Sequence, residues 1–343
     1  MSYAESIFNT TVAHYTWVTI RFSDSTPQFW TQYWHHKYGN CYTFNRGKDD
    51  HNRKTKVKTS SIPGHVGGLT LELNIEQDEY VSLLSQEAGI RVFVSTQNEM
   101  PFPYELGISA APGYSTSIQL RKVIIGRLDP FANGSCETKD NLGDDNIFGG
   151  FNISYSVMAC KFSCLARLMN HRCGCVIYTL KYGDMTNACN STDTLTVDCI
   201  DAAFDEFYAG ACEKQCREKC RENTFKMTIS VASWPSRHYR GTFEDELNEQ
   251  KLGNHSDDLS ENFLKLKVYY GELNFEVIEE ELAYTFARFL SDIGGIMGMW
   301  IGISALTCVE VLELVASLCY TILKRIKQPR ANVIEVQAND SPA

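Results

Sequence analysis

The chain has 343 residues, 43% of them hydrophobic, and a formal net charge of −10. This length holds a large core or two to three domains. The acidic balance argues against nucleic acid as a partner.

In chain order, residues 17–45 are aromatic-rich and end in Tyr38-Gly-Asn-Cys-Tyr-Thr-Phe-Asn45, and residues 46–60 form a basic, polar loop. Residues 67–75 alternate apolar and polar side chains, which predicts a half-buried strand. Residues 89–95 and 117–127 predict two more, with Pro101, Pro103, Gly107, Pro112 and Gly113 punctuating the connection. Residues 155–175 predict a helix that places Cys160 and Cys164 one turn apart on one face. Residues 201–221 predict a second helix with Cys212, Cys216 and Cys220 at the same step, so disulfides could ladder the two helices into a stiff lever. Strands return at 225–233 and 263–277, the latter with clear alternation from Leu264 to Tyr270.

Residues 293–323 are long and apolar enough for one membrane-spanning helix. A plain anchor needs only aliphatic residues. This segment carries Glu310 and Glu313 as well as Gly294, Gly295, Gly298 and Gly302. A carboxylate facing lipid costs at least ~2.5 kcal/mol, so such acids usually face a bundle interior or a water-filled path. Ser291, Gly295, Gly298, Gly302, Leu306, Glu310, Glu313 and Ser317 follow steps of three or four residues and share one helical stripe. Small residues there let helices approach closely, and the acids offer oxygen ligands and negative potential to a cation. A pore-lining helix suits this pattern. A single-pass receptor anchor dimerised through its small residues is the competing reading, and then the ectodomain would bind a ligand and conduct nothing.

Lys324, Arg325, Lys327 and Arg330 follow the span and mark residues 324–343 as the cytoplasmic tail, with 1–292 extracellular. Residues 327–343 are polar enough to be disordered. Glycosylation acceptors at Asn9, Asn133, Asn152, Asn190 and Asn254 all precede the span. Eleven of the 13 cysteines precede it too, ten of them between 136 and 220, as in a disulfide framework of an oxidising compartment. Zinc ligation by Cys173, Cys175, Cys212, Cys216 and Cys220 is the weaker reading, because these are not the spacings of the usual zinc modules. No metal or cofactor is expected. Residues 1–60 contain no export-directing segment. The expectation is therefore that the chain lacks its natural beginning, which would contain a membrane helix and the partner of Cys41. Glu276, Glu279, Glu280 and Glu281 form an acidic group before the span, either a solvated face or a cation-concentrating vestibule. His35, His36 and His65 have no adjacent nucleophile motif, which argues against an enzyme.

Taken together, these residues resemble the degenerin/epithelial sodium channel family, which includes the acid-sensing channels, from about residue 33 to 325. The match is carried by residues 38–45, by Gly68-Leu-Thr-Leu-Glu-Leu-Asn-Ile75 and Glu87-Ala-Gly-Ile-Arg-Val, by Cys160-x3-Cys164 with Cys173-Gly-Cys175, by Trp234-Pro235-Ser236, and by Ser291-Asp292-Ile-Gly-Gly295 with Gly302-Ile-Ser304. The resemblance implies an α+β, disulfide-rich extracellular domain joined to a transmembrane pore helix in a trimeric channel. Residues 33–130 would give finger, palm and β-ball strands, 136–225 a cysteine-rich helical thumb, and 226–281 the palm's return strands. It implies a plasma-membrane cation channel, usually sodium-selective and blocked by amiloride, assembled with identical or related subunits. Gly302, Ile303 and Ser304 would form the selectivity filter. Ser291 would sit where bulky substitutions lock family channels open, and Glu310 and Glu313 would match acids below the filter. Family order would pair Cys136–Cys220, Cys160–Cys216, Cys164–Cys212, Cys173–Cys199 and Cys175–Cys189. The acidic stretch before the Glu-Ala-Gly motif of the acid-sensing members is replaced by Ser82-Leu-Leu-Ser-Gln86, which weakens proton gating through paired carboxylates.

Overall fold

A computed structural model of the chain describes residues 5–6, 9–13, 19–22, 29–49, 53–80, 85–129, 134–143, 146–148, 153–180, 188–249, 259–301 and 305–327. It divides into two compact units, Met1–Glu280 and Glu281–Ala343.

The first unit holds twelve described strands: β1 (Glu5–Ser6), β2 (Asn9–Ala13), β3 (Thr19–Phe22), β4 (Trp30–His35), β5 (Gly39–Phe44), β6 (Thr59–Ser60), β7 (Leu69–Asn74), β8 (Ile90–Ser95), β9 (Ile108–Ala110), β10 (Tyr114–Gly126), β11 (Arg221–Ser233) and β12 (Phe263–Glu279). Its helices are α1 (Pro103–Leu106), α2 (Val157–Cys173), α3 (Thr194–Tyr208), α4 (Arg240–Glu249) and α5 (Leu259–Asn262). One five-stranded sheet runs β11-β10-β12-β7-β3, and a second runs β4-β5-β2-β8-β9. In the first sheet β10 and β12 are parallel, while the other pairs are antiparallel.

Alternation puts the sheets' inner faces together. In β12, Leu264, Leu266 and Val268 are fully buried while Lys265 and Lys267 lie partly in solvent. They join Leu71, Leu73, Ile118 and Leu120 from the same sheet and Ile90, Val92 and Val94 from β8 in one core. Each such side chain contributes roughly 1.5–3 kcal/mol by leaving water. Gly68 precedes β7 where the chain runs against β12. A Cβ there would lie 2.6 Å from the Val268 carbonyl oxygen, so no larger residue fits without backbone movement.

The core side of β12 ends at Tyr270. From Glu272 the strand is largely exposed, yet it continues along β10 to the pair Gly126–Glu279 after a bulge opposite Leu120 and Lys122. A separate cluster forms where Trp234, Leu247, Leu259 and Phe263 surround the fully buried Phe243 of α4.

His35 ends β4 with 4% of its surface exposed. Its ring stacks on His36 and Tyr38, and its Nδ1 accepts the Lys37 N–H at 3.2 Å. Burial, with the neighbouring His36 and Lys37 charges, lowers its pKa to about 4. The neutral ring is therefore favoured in the folded state. Its contribution is complete above the ordinary value near 6.5 and is lost as pH falls from there to about 4. Acid unfolding of the protein should show a loss of about 2 kcal/mol across that window, after allowance for residual solvent screening. His35→Gln should flatten that part of the profile by circular dichroism. An unchanged profile would show that the ring charges without penalty.

Candidate functional site

The first unit is organised around five disulfides: Cys136–Cys220, Cys160–Cys216, Cys164–Cys212, Cys173–Cys199 and Cys175–Cys189. Three of these cysteines lie on α2. Ser156 caps that helix by accepting the Ala159 N–H at 3.3 Å, and Gly174 closes it in the left-handed conformation at φ +69°. Two bridges one helical turn apart pin α2 to residues 212–216, and a third pins its end to α3. Arg172 of α2 and Glu206 of α3 add an exposed ion pair at 2.5 Å.

The expected helix over 201–221 is corrected here. α3 starts earlier, at Thr194, and stops at Tyr208. Gly210 adopts φ +94° and donates to the Phe207 carbonyl, and Ala211 donates to the Glu206 carbonyl. Left-handed geometry at a glycine is how helices commonly end. Cys212 and Cys216 therefore lie in turns, and Cys220 stands at the foot of β11. The clamp joins one helix to an irregular segment and is not a ladder between two helices.

An ionic knot at the foot of β11 adds to the clamp and has no signal in the sequence. Arg127, just past β10, donates to Glu222 at 2.7 Å and to the Lys219 carbonyl at 2.8 Å, and lies 3.7 Å from Glu218. Its partners are more than ninety positions away along the chain, so local pattern could not reveal them. Close by, Tyr155 donates its hydroxyl to the Arg217 carbonyl at 2.7 Å. Burial, with the Glu137 and Glu218 charges, pushes its pKa up to about 12.

Glu276, Glu279, Glu280 and Glu281 are exposed. Glu280 is fixed to the end of β10: its N–H donates to the Gly126 carbonyl at 2.9 Å and its carboxylate accepts the Leu128 N–H at 3.0 Å. Among the sequons, Asn190 is exposed and its side-chain Oδ1 accepts from both the N–H and the hydroxyl of Thr192. Asn9 lies in β2; Asn133, Asn152 and Asn254 fall outside the described residues.

The second unit contains α6 (Phe286–Ile301) and α7 (Ala305–Lys327). Residues 302–304, and with them the filter candidates Gly302, Ile303 and Ser304, lie outside the described residues. Leu306–Ile326 is a candidate membrane span of 21 residues with mean hydropathy 1.8, none of it buried among the described residues. At ~1.5 Å per residue it crosses the ~30 Å hydrocarbon core. Ser291, Gly295 and Gly298 lie on α6, and Glu310 and Glu313 are exposed on α7. Among the described residues, nothing lies within 4 Å of where a Cβ on Gly294, Gly295 or Gly298 would stand. Packing among the described residues therefore does not demand glycine there. Thr285 caps α6 by accepting the Arg288 N–H, and Tyr284 hydrogen-bonds Asp292 within the same helix start.

A disulfide-clamped α+β unit, followed directly by an apolar helix that carries carboxylates, defines a membrane protein with a structured domain on the N-terminal side of its span. The sequence model described as "Amiloride-sensitive sodium channel" matches residues 5–314, and the chain belongs to that family. It is 33% identical over 299 residues to the epithelial sodium channel subunit beta of Oryctolagus cuniculus, covering 84% of this chain and 45% of the relative. It is 32% identical over 292 residues to the subunit alpha of Neoceratodus forsteri, with 84% and 43% covered. Against the subunit beta of Homo sapiens the figures are 32% over 300 residues, 84% and 45%. The chain spans about half the length of the curated relatives it matches. The family is one of ion channels and not of enzymes.

Proposed function

We propose that this chain is a pore-forming part of a trimeric, sodium-selective, amiloride-sensitive cation channel of the plasma membrane. Its N-terminal bulk faces outward and its C-terminus lies in the cytoplasm. The family membership carries this reading. The carboxylate-bearing apolar helix close behind a long strand of the disulfide-clamped unit supports it. On this reading the β10–β12 sheet serves as the palm, the sheet around β8 as the β-ball, and the α2–α3 segment as the thumb. Sodium is the permeating partner, and identical or related subunits complete the pore.

The mechanism rests on connectivity. β12 ends at Glu279 and α6 begins at Phe286, so residues 280–285 leave little slack between them. A stimulus that moves the clamped thumb shifts the foot of β11, and with it β10 and β12. The displacement passes through 280–285 to Ser291, Gly295 and Gly298, where small residues let helices of neighbouring subunits approach. Glu276, Glu279, Glu280 and Glu281 form an acidic group just before the span in the chain and concentrate cations. Gly302, Ile303 and Ser304 line the narrowest ring, where backbone carbonyls or hydroxyls replace part of the ion's water. Glu310 and Glu313 present negative potential below it.

The filter assignment is tested in oocytes expressing the complete reading frame that contains this chain. Gly302→Ala and Ser304→Ala should each lower the sodium-to-potassium permeability ratio or the potency of amiloride block by about fivefold, which is roughly 1 kcal/mol of discrimination. Unchanged reversal potential and block in both variants would refute the assignment.

A further inference from the structure

Residues 46–58 carry Arg46, Lys48, Arg53, Lys54, Lys56 and Lys58 against Asp49 and Asp50, six cations to two carboxylates in a chain whose net charge is −10. The segment folds back on itself as a hairpin between β5 and β6, and its tip, residues 50–52, lies outside the described residues. Lys48 and Lys54 face each other as antiparallel partners. The Asp49 N–H donates to the Arg53 carbonyl at 3.0 Å, and the Thr55 N–H donates to the Gly47 carbonyl at 3.0 Å. Those bonds flank the Lys48–Lys54 pair and make it the non-hydrogen-bonded kind, in which facing side chains come closest.

The base of the hairpin is fixed. The buried Asn45 side chain accepts the Lys58 N–H at 2.8 Å and donates to the Lys58 carbonyl at 3.2 Å. Gly47 adopts φ +76°, and a Cβ there would lie 3.1 Å from Val57 Cγ2, so the two arms meet closely. Asp49 accepts the Arg53 N–H at 2.9 Å and its Nε–H at 2.7 Å. Lys54 and Lys56 are exposed two residues apart, roughly 6.6 Å along an extended chain. Like charges directly opposite one another destabilise a strand pair. Burial, with the Arg46 and Lys54 charges, accordingly lowers the Lys48 pKa. A face that needed only solubility would intersperse its signs; this one crowds cations on a braced scaffold.

We propose that this hairpin docks a sulfated polysaccharide, whose sulfate groups meet Lys48, Lys54 and Lys56. Short runs rich in Lys and Arg are recurrent polyanion patches. Several strong acids per sugar pair place more than one anion within reach of so small a cluster, and they relieve its self-repulsion. Residues 46–58 contain no Phe, Tyr or Trp, so the bases of a single-stranded nucleic acid find nothing to stack on. Their one large aliphatic, Val57, faces Gly47, which leaves no apolar anchor for a lipid surface. On the outward-facing reading above, sulfated polysaccharides share the compartment of this unit.

The test is surface plasmon resonance of the purified, detergent-solubilised protein over an immobilised heparin octasaccharide. Desulfated octasaccharide, an oligothymidylate and phosphatidylserine vesicles serve as competitors. It reads binding alone and is independent of topology and of whether the protein conducts. The sulfated sugar should bind saturably, more weakly as salt is raised, with the desulfated sugar at least about tenfold weaker. Lys54→Gln combined with Lys56→Gln should weaken binding by about tenfold without lowering the melting temperature, since both side chains are exposed. Lys214→Gln combined with Lys226→Gln, which removes the same charge from exposed positions elsewhere in the unit, should leave affinity unchanged. Absence of saturable binding, equal affinity for the desulfated sugar, equal loss in the two double variants, or stronger competition by the oligothymidylate or the vesicles than by free heparin octasaccharide would overturn the proposal.

Discussion

Replacing Cys136 and Cys220 together by serine should cost the protein more stability than removing the Cys175–Cys189 bridge. Cys136–Cys220 closes a loop of 84 residues, against 14 for Cys175–Cys189. Because the Cys160–Cys216 bridge is nested inside it, the loop that Cys136–Cys220 closes in the otherwise bridged chain is about 30 residues, and chain entropy assigns it about 3.5 kcal/mol against about 3 kcal/mol for the smaller at 25 °C. Whole domains are stable by only about 5–15 kcal/mol. The longer bridge also anchors the pairing of Glu137 with Lys219 and stands beside the Arg127 knot at the foot of β11. Without it, the segment that ties α2 to the sheet loses its fixed end. Surface biotinylation and limited proteolysis of the two double-serine variants should therefore rank them, with Cys136/Cys220 the more depleted and the more readily cleaved. Equal loss, or the reverse order, would show that local packing and not loop closure sets the contribution.

Much of the sheet was readable from alternation. Leu264, Leu266 and Val268 sit at a period of two with lysines between them, and the inward set is the buried one. β7 obeys the same rule from Leu71 to Leu73, whereas Val92–Ser95 of β8 and Thr116–Ile118 of β10 are buried on both faces. β2 was not readable. Its residues Asn9, Thr10, Thr11, Val12 and Ala13 contain one large aliphatic, yet it lies between β5 and β8 with Thr10 opposite both Phe44 and Val94. Distant partners determine that strand, and no local pattern encodes them. The segment after α3 misled for the opposite reason. Residues 211–221 have a helical cysteine step, but Gly210 turns the chain, and the bridges to α2 fix the path of residues 212–216. The Arg127 knot was invisible for the same long-range reason. In the candidate pore, the helical character on both sides of residues 302–304 was legible from composition alone. Glycine at 294, 295 and 298 has no cause among the described residues of the single chain, and that is the feature a neighbouring subunit's helix would explain.

The central claim is that α6 and α7 of several copies surround a water-filled path. Ser291 stands exposed on α6, one helical turn before Gly295. Where three such helices converge to close a gate, a phenylalanine at this position cannot be accommodated, and the helices are held apart. The direct measurement is whole-cell current in oocytes expressing the complete reading frame with Ser291→Phe, paired with surface labelling. The account predicts a large, sodium-carried, amiloride-blocked current with no stimulus applied, at least about tenfold above the unsubstituted protein. Normal surface labelling with current no greater than in uninjected cells would contradict it.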